Sequence, residues 1–257
     1  MKAAFFDLDK TVIAKTSLGA LGPEFHARGL IRRWTLIRGI GKQLWFLWFG
    51  ADEGKLDKIR ESLMKLTQGW DRDDVRLLVS ETLNEVIEPL IYAEALELIA
   101  HHLSEGDEVW IISTSPGEIV EPFAELLGIT GAIGSRAAID EENRYTGVLE
   151  FFNQGPNKAV AIREIAESRG IDLSASSAYS DSETDLPMLE TVGHPYAVNP
   201  DRTLAHIAHE REWPILTFSK PVRAHDHRAS RTPVVVGALI VGALTVVGKF
   251  LRPHQDH

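Results

Sequence analysis

Phe5-Phe6-Asp7-Leu8-Asp9-Lys10-Thr11 stands almost at the N-terminus and governs how the rest of the chain is read. The apolar run from Ala3 to Phe6 reads as a buried strand. Two carboxylates follow it, two residues apart. Side chains alternate faces along a strand, so Asp7 and Asp9 point to the same side while the strand persists, and where it opens into a loop both face a cleft. Acids this close repel each other, so a cation or a shared proton is expected between them. A lone Asp-x-Asp is ordinarily a solvated acidic turn; the later stretches of this chain change that reading.

Beyond Thr11 the pattern turns helical. Residues 18–49 are apolar and basic, and Trp34 to Phe49 is unusually aromatic, most simply as packing within a helical unit. Residues 52–67 and 71–87 read as two further amphipathic helices, with Asp71 as the N-cap of the second. No strand pattern is found between Thr16 and Pro89. From Tyr92 onward helices and strands alternate. Residues 93–103 read as a helix stopped by Gly106, and Glu108 to Ser113 as a strand. Ser115-Pro116-Gly117-Glu118 is expected to open a helix with Ser115 as cap and Pro116 as its first residue. Ala132 to Ser135 is a short strand and 140–153 a hairpin or irregular excursion. A helix runs from Asn157 to a stop at Arg169-Gly170. Ala175 to Tyr179 is a strand, followed by a helix near Asp185 to Thr191 and short strands at Pro195 to Asn199 and Pro214 to Phe218. Strands separated by helices imply an α/β fold: a Rossmann-like, mostly parallel sheet covered by helices on both faces, with its site at the carboxyl ends of the strands. The expected division is a core of 1–15 and 90–218, a helical cap of 16–89 inserted after the first strand, and a linker with an apolar tail at 219–257.

Composition limits the function classes. A chain of 257 residues that is 44% apolar can bury a sizeable core, and a formal charge of -10 argues against a nucleic-acid binder. There is no cysteine, hence no disulfide or thiolate metal site, which suits the cytoplasm, and no secretory signal is visible. The histidines of His225-Asp226-His227 and the C-terminal His254 to His257 read as solvated tails. Pro233 to Leu251 approaches the ~17 to 25 residues of a membrane span if Lys249 reaches towards the headgroups. Membrane association through 233–251, with the catalytic domain on the cytoplasmic side, is therefore an expectation to test.

Polar groups recur at strand ends. Asp7, Asp9 and Thr11 follow the first strand, Ser113 and Thr114 the second; Lys158 opens a later helix, and Asp181 and Asp185 follow the strand ending at Tyr179. Taken singly, each has an ordinary reading as a strand-end hydroxyl, a solvated Lys or a helix-start acid. Taken together, acids, a hydroxyl and a Lys are what Mg²⁺-assisted phosphoryl transfer requires, since Mg²⁺ takes carboxylate and water oxygens and a phosphate needs donors and positive charge.

This set resembles the four motifs of the haloacid dehalogenase superfamily, in order: Asp7-Leu8-Asp9-Lys10-Thr11, Ser113, Lys158, and Asp181 to Asp185. A helical insert between the first two motifs is similar to the phosphoserine-phosphatase-like branch, where it caps the site. The resemblance covers residues 1 to about 218 and implies a phosphomonoester hydrolase acting on a small phosphorylated metabolite or a lipid phosphate. By it, Asp7 is the nucleophile, Asp9 the general acid and base, and Lys158 the neutralising cation. Thr11, Ser113 and Thr114 bind the phosphoryl group. Asp7, the Asp9 carbonyl, Asp181 and Asp185 hold or support Mg²⁺. Arg60-Glu61-Ser62-Leu63-Met64 looks similar to the stretch whose cap Arg meets the substrate carboxylate in the branch; taken alone, Arg60 reads as a surface helix Arg. Two positions depart from the pattern: Thr184 stands where an Asn is common, and Thr16 where a cap Glu meets the phosphoserine ammonium group. The competing classes are a phospho-acceptor signalling domain and a membrane-tethered binding module. The first lacks an acid at the place of Asp9, and the second leaves the four motifs unexplained.

Overall fold

The computed structural model describes residues 1–21, 64–65, 67–83, 86 and 88–219. Arg60, the aromatic run Trp34 to Phe49 and the apolar tail at 233–251 lie outside the described residues, so the expectations placed on them are not addressed by the fold. Among the described residues no helix is long and apolar enough to cross a membrane.

The strands are β1 Ala3–Phe6, β2 Glu108–Pro116, β3 Gly131–Ile139, β4 Tyr145–Phe151, β5 Ser177–Ser180, β6 His194–Val198 and β7 Ile215–Leu216. The helices are α1 Arg72–Thr82, α2 Ala93–Ser104, α3 Gly117–Leu127, α4 Pro156–Arg169, α5 Leu186–Leu189 and α6 Arg202–Glu210. The described strands form one sheet in the order β4-β3-β2-β1-β5-β6-β7. Every neighbouring pair is parallel except the β3–β4 hairpin.

β1 is central and buried on both faces, as its continuous apolar run requires. Ala4 and Phe6 face one way, into a core shared with Ile99 of α2, Val120 and Phe123 of α3, and Val79 of α1. Ala3 and Phe5 face the other, against Ile162 of α4, Met188 of α5 and Leu204 of α6. On the first face, Phe6, Tyr179 and Tyr196 sit at one level of three adjacent strands and stack with centroid spacings of 4.4 and 4.8 Å. Burial of one such ring contributes about 1.5–3 kcal/mol.

The chain leaves β1 for β2 on one side and later occupies the other side with β5. The carboxyl end of β1 is therefore the switch point where a crevice opens. The inserted segment departs and returns just below it, and the two crossings are zipped together. Ala14 N–H donates to the Leu90 carbonyl (2.8 Å), Tyr92 N–H to that of Val12 (3.0 Å), and Ile13 bridges Ile91. Helix α1, at the described end of the insert, begins at Asp71, whose carboxylate accepts from the Asp73 and Asp74 amides. It is fastened to α3 by Arg72–Glu118 (2.9 Å) and Arg76–Glu121 (2.6 Å).

Two sequence expectations are corrected. β2 continues through Ser115 to Pro116, and α3 opens at Gly117 with no side-chain cap, because the Ser115 hydroxyl is engaged across the sheet. The helix expected at Asp185 to Thr191 is a 3-10 turn, Glu183–Asp185, followed by the four residues of α5. Of the two readings of 140–153, the hairpin holds: the segment turns and returns as β4 against β3.

Candidate active site

The end of β1 delivers Asp7 and Asp9 into the crevice through a tight turn. Val12 and Ile13 N–H both reach back to the Leu8 carbonyl (3.0 Å each), and Lys10 adopts a left-handed φ of 65°. Asp7 is buried at 6% exposure and Asp9 is half-buried. Lys158, in the first turn of α4, is 1% exposed and donates from Nζ to Asp7 Oδ1 and to Asp185 Oδ2, both at 2.6 Å. Asp185 Oδ2 also accepts from the Ser180 hydroxyl at the end of β5 (2.7 Å). Asp181 lies in the same loop and is almost wholly buried. The strand ends thus bring together Asp7, Asp9, Lys158, Asp181 and Asp185.

β2 contributes hydroxyls from alternate positions. Ser113 Oγ accepts from the Ser115 amide (3.1 Å), which leaves the Ser113 O–H proton to be donated. Thr114 points to the other face, where its hydroxyl donates to the Asn153 carbonyl (3.2 Å). Strand alternation separates the Thr114 side chain from Ser113, so a phosphoryl contact from Thr114 would have to come from the amides near it, as expected, and not from its hydroxyl. Thr11 is fully buried, and its Oγ1 has no hydrogen-bond partner. Beside a pair of carboxylates, such an orphan is the kind of group that a bound water or phosphoryl oxygen satisfies.

The family profile of haloacid dehalogenase-like hydrolases matches residues 4–190, which spans all of these groups. The chain belongs to that family. It is 46% identical over 245 residues to the "Inhibition of morphological differentiation protein" of Streptomyces azureus, covering 94% of this chain and 88% of the relative. It is 45% identical over 251 residues to a probable phosphatase of Mycobacterium tuberculosis, covering 95% and 87%. A phosphoserine phosphatase of the same organism is 33% identical over 219 residues, covering 84% and 70%. The fold matches a solved phosphoserine phosphatase with a TM-score of 0.60 at 20% identity, covering 86% of this chain and 95% of that one. The protein is a phosphatase of the phosphoserine-phosphatase-like branch.

Electrostatics in this haloacid dehalogenase-like site are dominated by burial. Burial pushes the Asp7 carboxyl well above the ordinary range; Lys158 pulls it back, and Asp185, Asp181 and Asp9 push it up again. Asp181 is pushed up to about 7, by burial first and by Asp185, with Lys10 and Lys158 opposing. Burial alone would discharge Lys158, but Asp185 and Asp7 reverse that and hold it protonated. Asp9 is raised by burial against the hydrogen bonds of Ser17 and Ser115.

These acids crowd at a cost that a divalent cation would relieve. Among the described residues no three His, Cys, Asp or Glu side chains converge into a ready-made metal cage. The side-chain donors at these strand ends are carboxylate oxygens too few to enclose an ion, which suits a cation that keeps several of its own waters. That is the habit of Mg²⁺.

Four contributing residues were not among those singled out for the site from the sequence. Ser17 and Ser115 bind Asp9 from stretches read as an insert and a helix cap. Ser180 props Asp185. Asn153, fully buried, donates from Nδ2 to the carbonyls of Ser113 (3.1 Å) and Ile133 (2.9 Å) and fixes the end of β2. The two-residue spacing of Ser113 and Ser115 on a strand was the one usable clue.

Proposed function

We propose that the protein hydrolyses phosphomonoesters through an aspartyl-phosphate on Asp7, with Mg²⁺ as cofactor. The observation that supports this best is the division of labour between the two acids. Asp7 is clamped by Lys158, whereas Asp9, two residues on, is held by neutral donors only. Asp7 Oδ attacks phosphorus as the ester P–O bond breaks, and Asp9 gives its proton to the departing alkoxide oxygen. Asp9, now a carboxylate, takes a proton from water as the water oxygen attacks phosphorus and the Asp7–phosphorus linkage breaks. The cycle returns both acids to their starting state. Lys158 and the Ser113 hydroxyl neutralise charge on the phosphoryl oxygens. Asp7, Asp181 and the Asp9 carbonyl would hold Mg²⁺, with Asp185 positioning Lys158. Bound there, the ion supplies positive charge against the phosphoryl oxygens.

The substrate class is a small phosphorylated metabolite or lipid phosphate. One relative is a phosphoserine phosphatase, but Thr16 offers no carboxylate for an ammonium group, so phosphoserine is not the substrate favoured here. Rapid acid quench during turnover of a ³²P-labelled aryl phosphate tests the mechanism. Hydroxylamine-labile label should appear on the wild-type chain and vanish with Asp7→Asn. Label that persists in that variant would place the nucleophile elsewhere.

A further inference from the structure

We propose that Ser17 and Ser115 are positioning residues for Asp9. Together they keep its carboxyl group in one place through both proton transfers, and they make the first turn of the inserted segment part of the acid-base apparatus. The inference rests on the reading of Asp9 given above.

Three hydrogen bonds carry it. The Ser17 amide donates to Asp9 Oδ1 (2.7 Å), the Ser115 hydroxyl donates to Asp9 Oδ2 (3.1 Å), and the two serine hydroxyls meet at 2.7 Å. Both serines are buried, at 1% and 4% exposure. Ser17 is the first residue of a helix whose opening bond runs from Ala20 N–H to the Thr16 carbonyl (3.0 Å), so its amide is one of the donors a helix start leaves free. An acid satisfying such an amide is commonplace and would need nothing more. The second oxygen, however, is served from β2, across the sheet, by a hydroxyl that itself contacts a second hydroxyl.

The chemistry of that pair matters because Asp9 must be a carboxylic acid in one step and a carboxylate in the next. A backbone amide only donates. A hydroxyl donates once and accepts twice, and in the Ser17–Ser115 contact either atom can be the donor. Ser115 therefore donates to the carboxylate or accepts from the acid by rotation about C–O bonds, with no heavy atom displaced. The Ser17 hydroxyl takes up the complementary role each time. Because Ser17 belongs to the inserted segment and Ser115 to the core, the acid is seated only when those two parts are in register.

The test compares Ser17→Ala, Ser115→Ala and the double variant, in the full chain with Mg²⁺, on two substrates. 2,4-Dinitrophenyl phosphate has a leaving group that needs no proton; an alkyl phosphate has one that does. General acid-base help is worth about 10² to 10⁴ in rate. Mispositioning should forfeit part of it, so kcat on the alkyl phosphate should fall at least about tenfold further than the first-turnover burst on the aryl ester. The double variant should lose about what the worse single loses, since the hydroxyls act as one chain. Asp9→Asn separates this proposal from its premise. If Asp9→Asn itself shows equal losses on both substrates, the premise fails. If Asp9→Asn is selective for the alkyl ester and the serine variants are not, or their losses simply add, the positioning role is overturned. Should Ser115→Ala not fold, Ser17→Ala decides alone, at a first helical residue where alanine is well tolerated.

Discussion

Lys158 Nζ lies 2.6 Å from Asp7 Oδ1 while the same nitrogen bonds Asp185, and all three side chains are buried. A lone buried ammonium would lose its proton and a lone buried carboxylate would gain one. Here one cation is shared by two acids, so each carboxyl group has less compensation than a one-to-one pair would give it. That shortage of positive charge makes the site receptive to a metal ion and intolerant of losing Lys158.

Replacing Lys158 with Met, similar in length but uncharged, should therefore affect stability and catalysis together. Removing one partner of a buried pair typically costs about 3–5 kcal/mol, because the other charge is stranded. Loss of one donor to transition-state charge costs about 10² to 10³ in rate. Urea unfolding and aryl phosphate hydrolysis check this; a variant as stable as wild type would mean the ion pair is not maintained in solution.

The Asp181 carboxylate gives a prediction whose sign depends on the metal. Without Mg²⁺ it adds repulsion to Asp7 and Asp185, so Asp181→Asn should raise Tm above that of the wild type. With Mg²⁺ the order should reverse, since a ligand present at 100 times its Kd stabilises a protein by about 2.7 kcal/mol and the variant would forfeit much of that. Thermal unfolding with chelator and with Mg²⁺ measures both arms, and hydrolysis should stop in chelator and resume on adding Mg²⁺. An Asp181→Asn chain that keeps the wild-type Mg²⁺ shift would remove Asp181 from the metal site.

How much of this was legible in the sequence depends on the range of each signal. β1 and its two acids could be read because an apolar run and its break into charge are local. α4 could be read because Arg169-Gly170 ends it in the left-handed conformation, with Gly170 at φ 67°, that glycine adopts freely. Ser115 was misread because Ser-Pro-Gly-Glu satisfies a local capping pattern while its actual partner is Asp9, more than a hundred positions away. The β3–β4 hairpin could be read only as a hairpin or an irregular excursion because neither face is fully buried, so hydrophobic alternation is blurred. Lys158 and Asp181 could be assigned only because several weak features agreed in order with a family pattern.

Thr16 bears on substrate choice. It is the residue before the first helical turn of the insert, its carbonyl accepting from Ala20, and it places no charge near the crevice. On a panel of small phosphoesters, phosphoserine should show a kcat/KM below that of the best member. Thr16→Glu should raise the phosphoserine value relative to an aryl phosphate. A wild-type chain that prefers phosphoserine to every other member would mean that its ammonium group is met by a residue other than Thr16.

His102 predicts a pH dependence of stability that is independent of the active site. It sits near the end of α2, with Nδ1 2.8 Å from Asp107 Oδ2 and Nε2 2.8 Å from the Tyr179 hydroxyl. Those partners assign the neutral ring, with Nδ1–H donating to the carboxylate and Nε2 accepting from Tyr179. Burial lowers its pKa below the ordinary 6.5, with the Asp107 hydrogen bond and charge opposing, and His101 and Lys2 add to the lowering. The unfolded chain therefore binds the proton more readily than the folded one. The resulting stabilisation is fully present above pH 6.5 and is lost as pH falls from there towards the folded-state value. Protonation also sets a second N–H against a hydroxyl that was donating, so Tyr179, stacked between Phe6 and Tyr196, must turn its proton away. Tm measured from pH 7.5 down to pH 5 should fall more steeply for the wild type than for His102→Gln, which cannot titrate. Parallel profiles would show that His102 keeps its ordinary pKa in the folded chain.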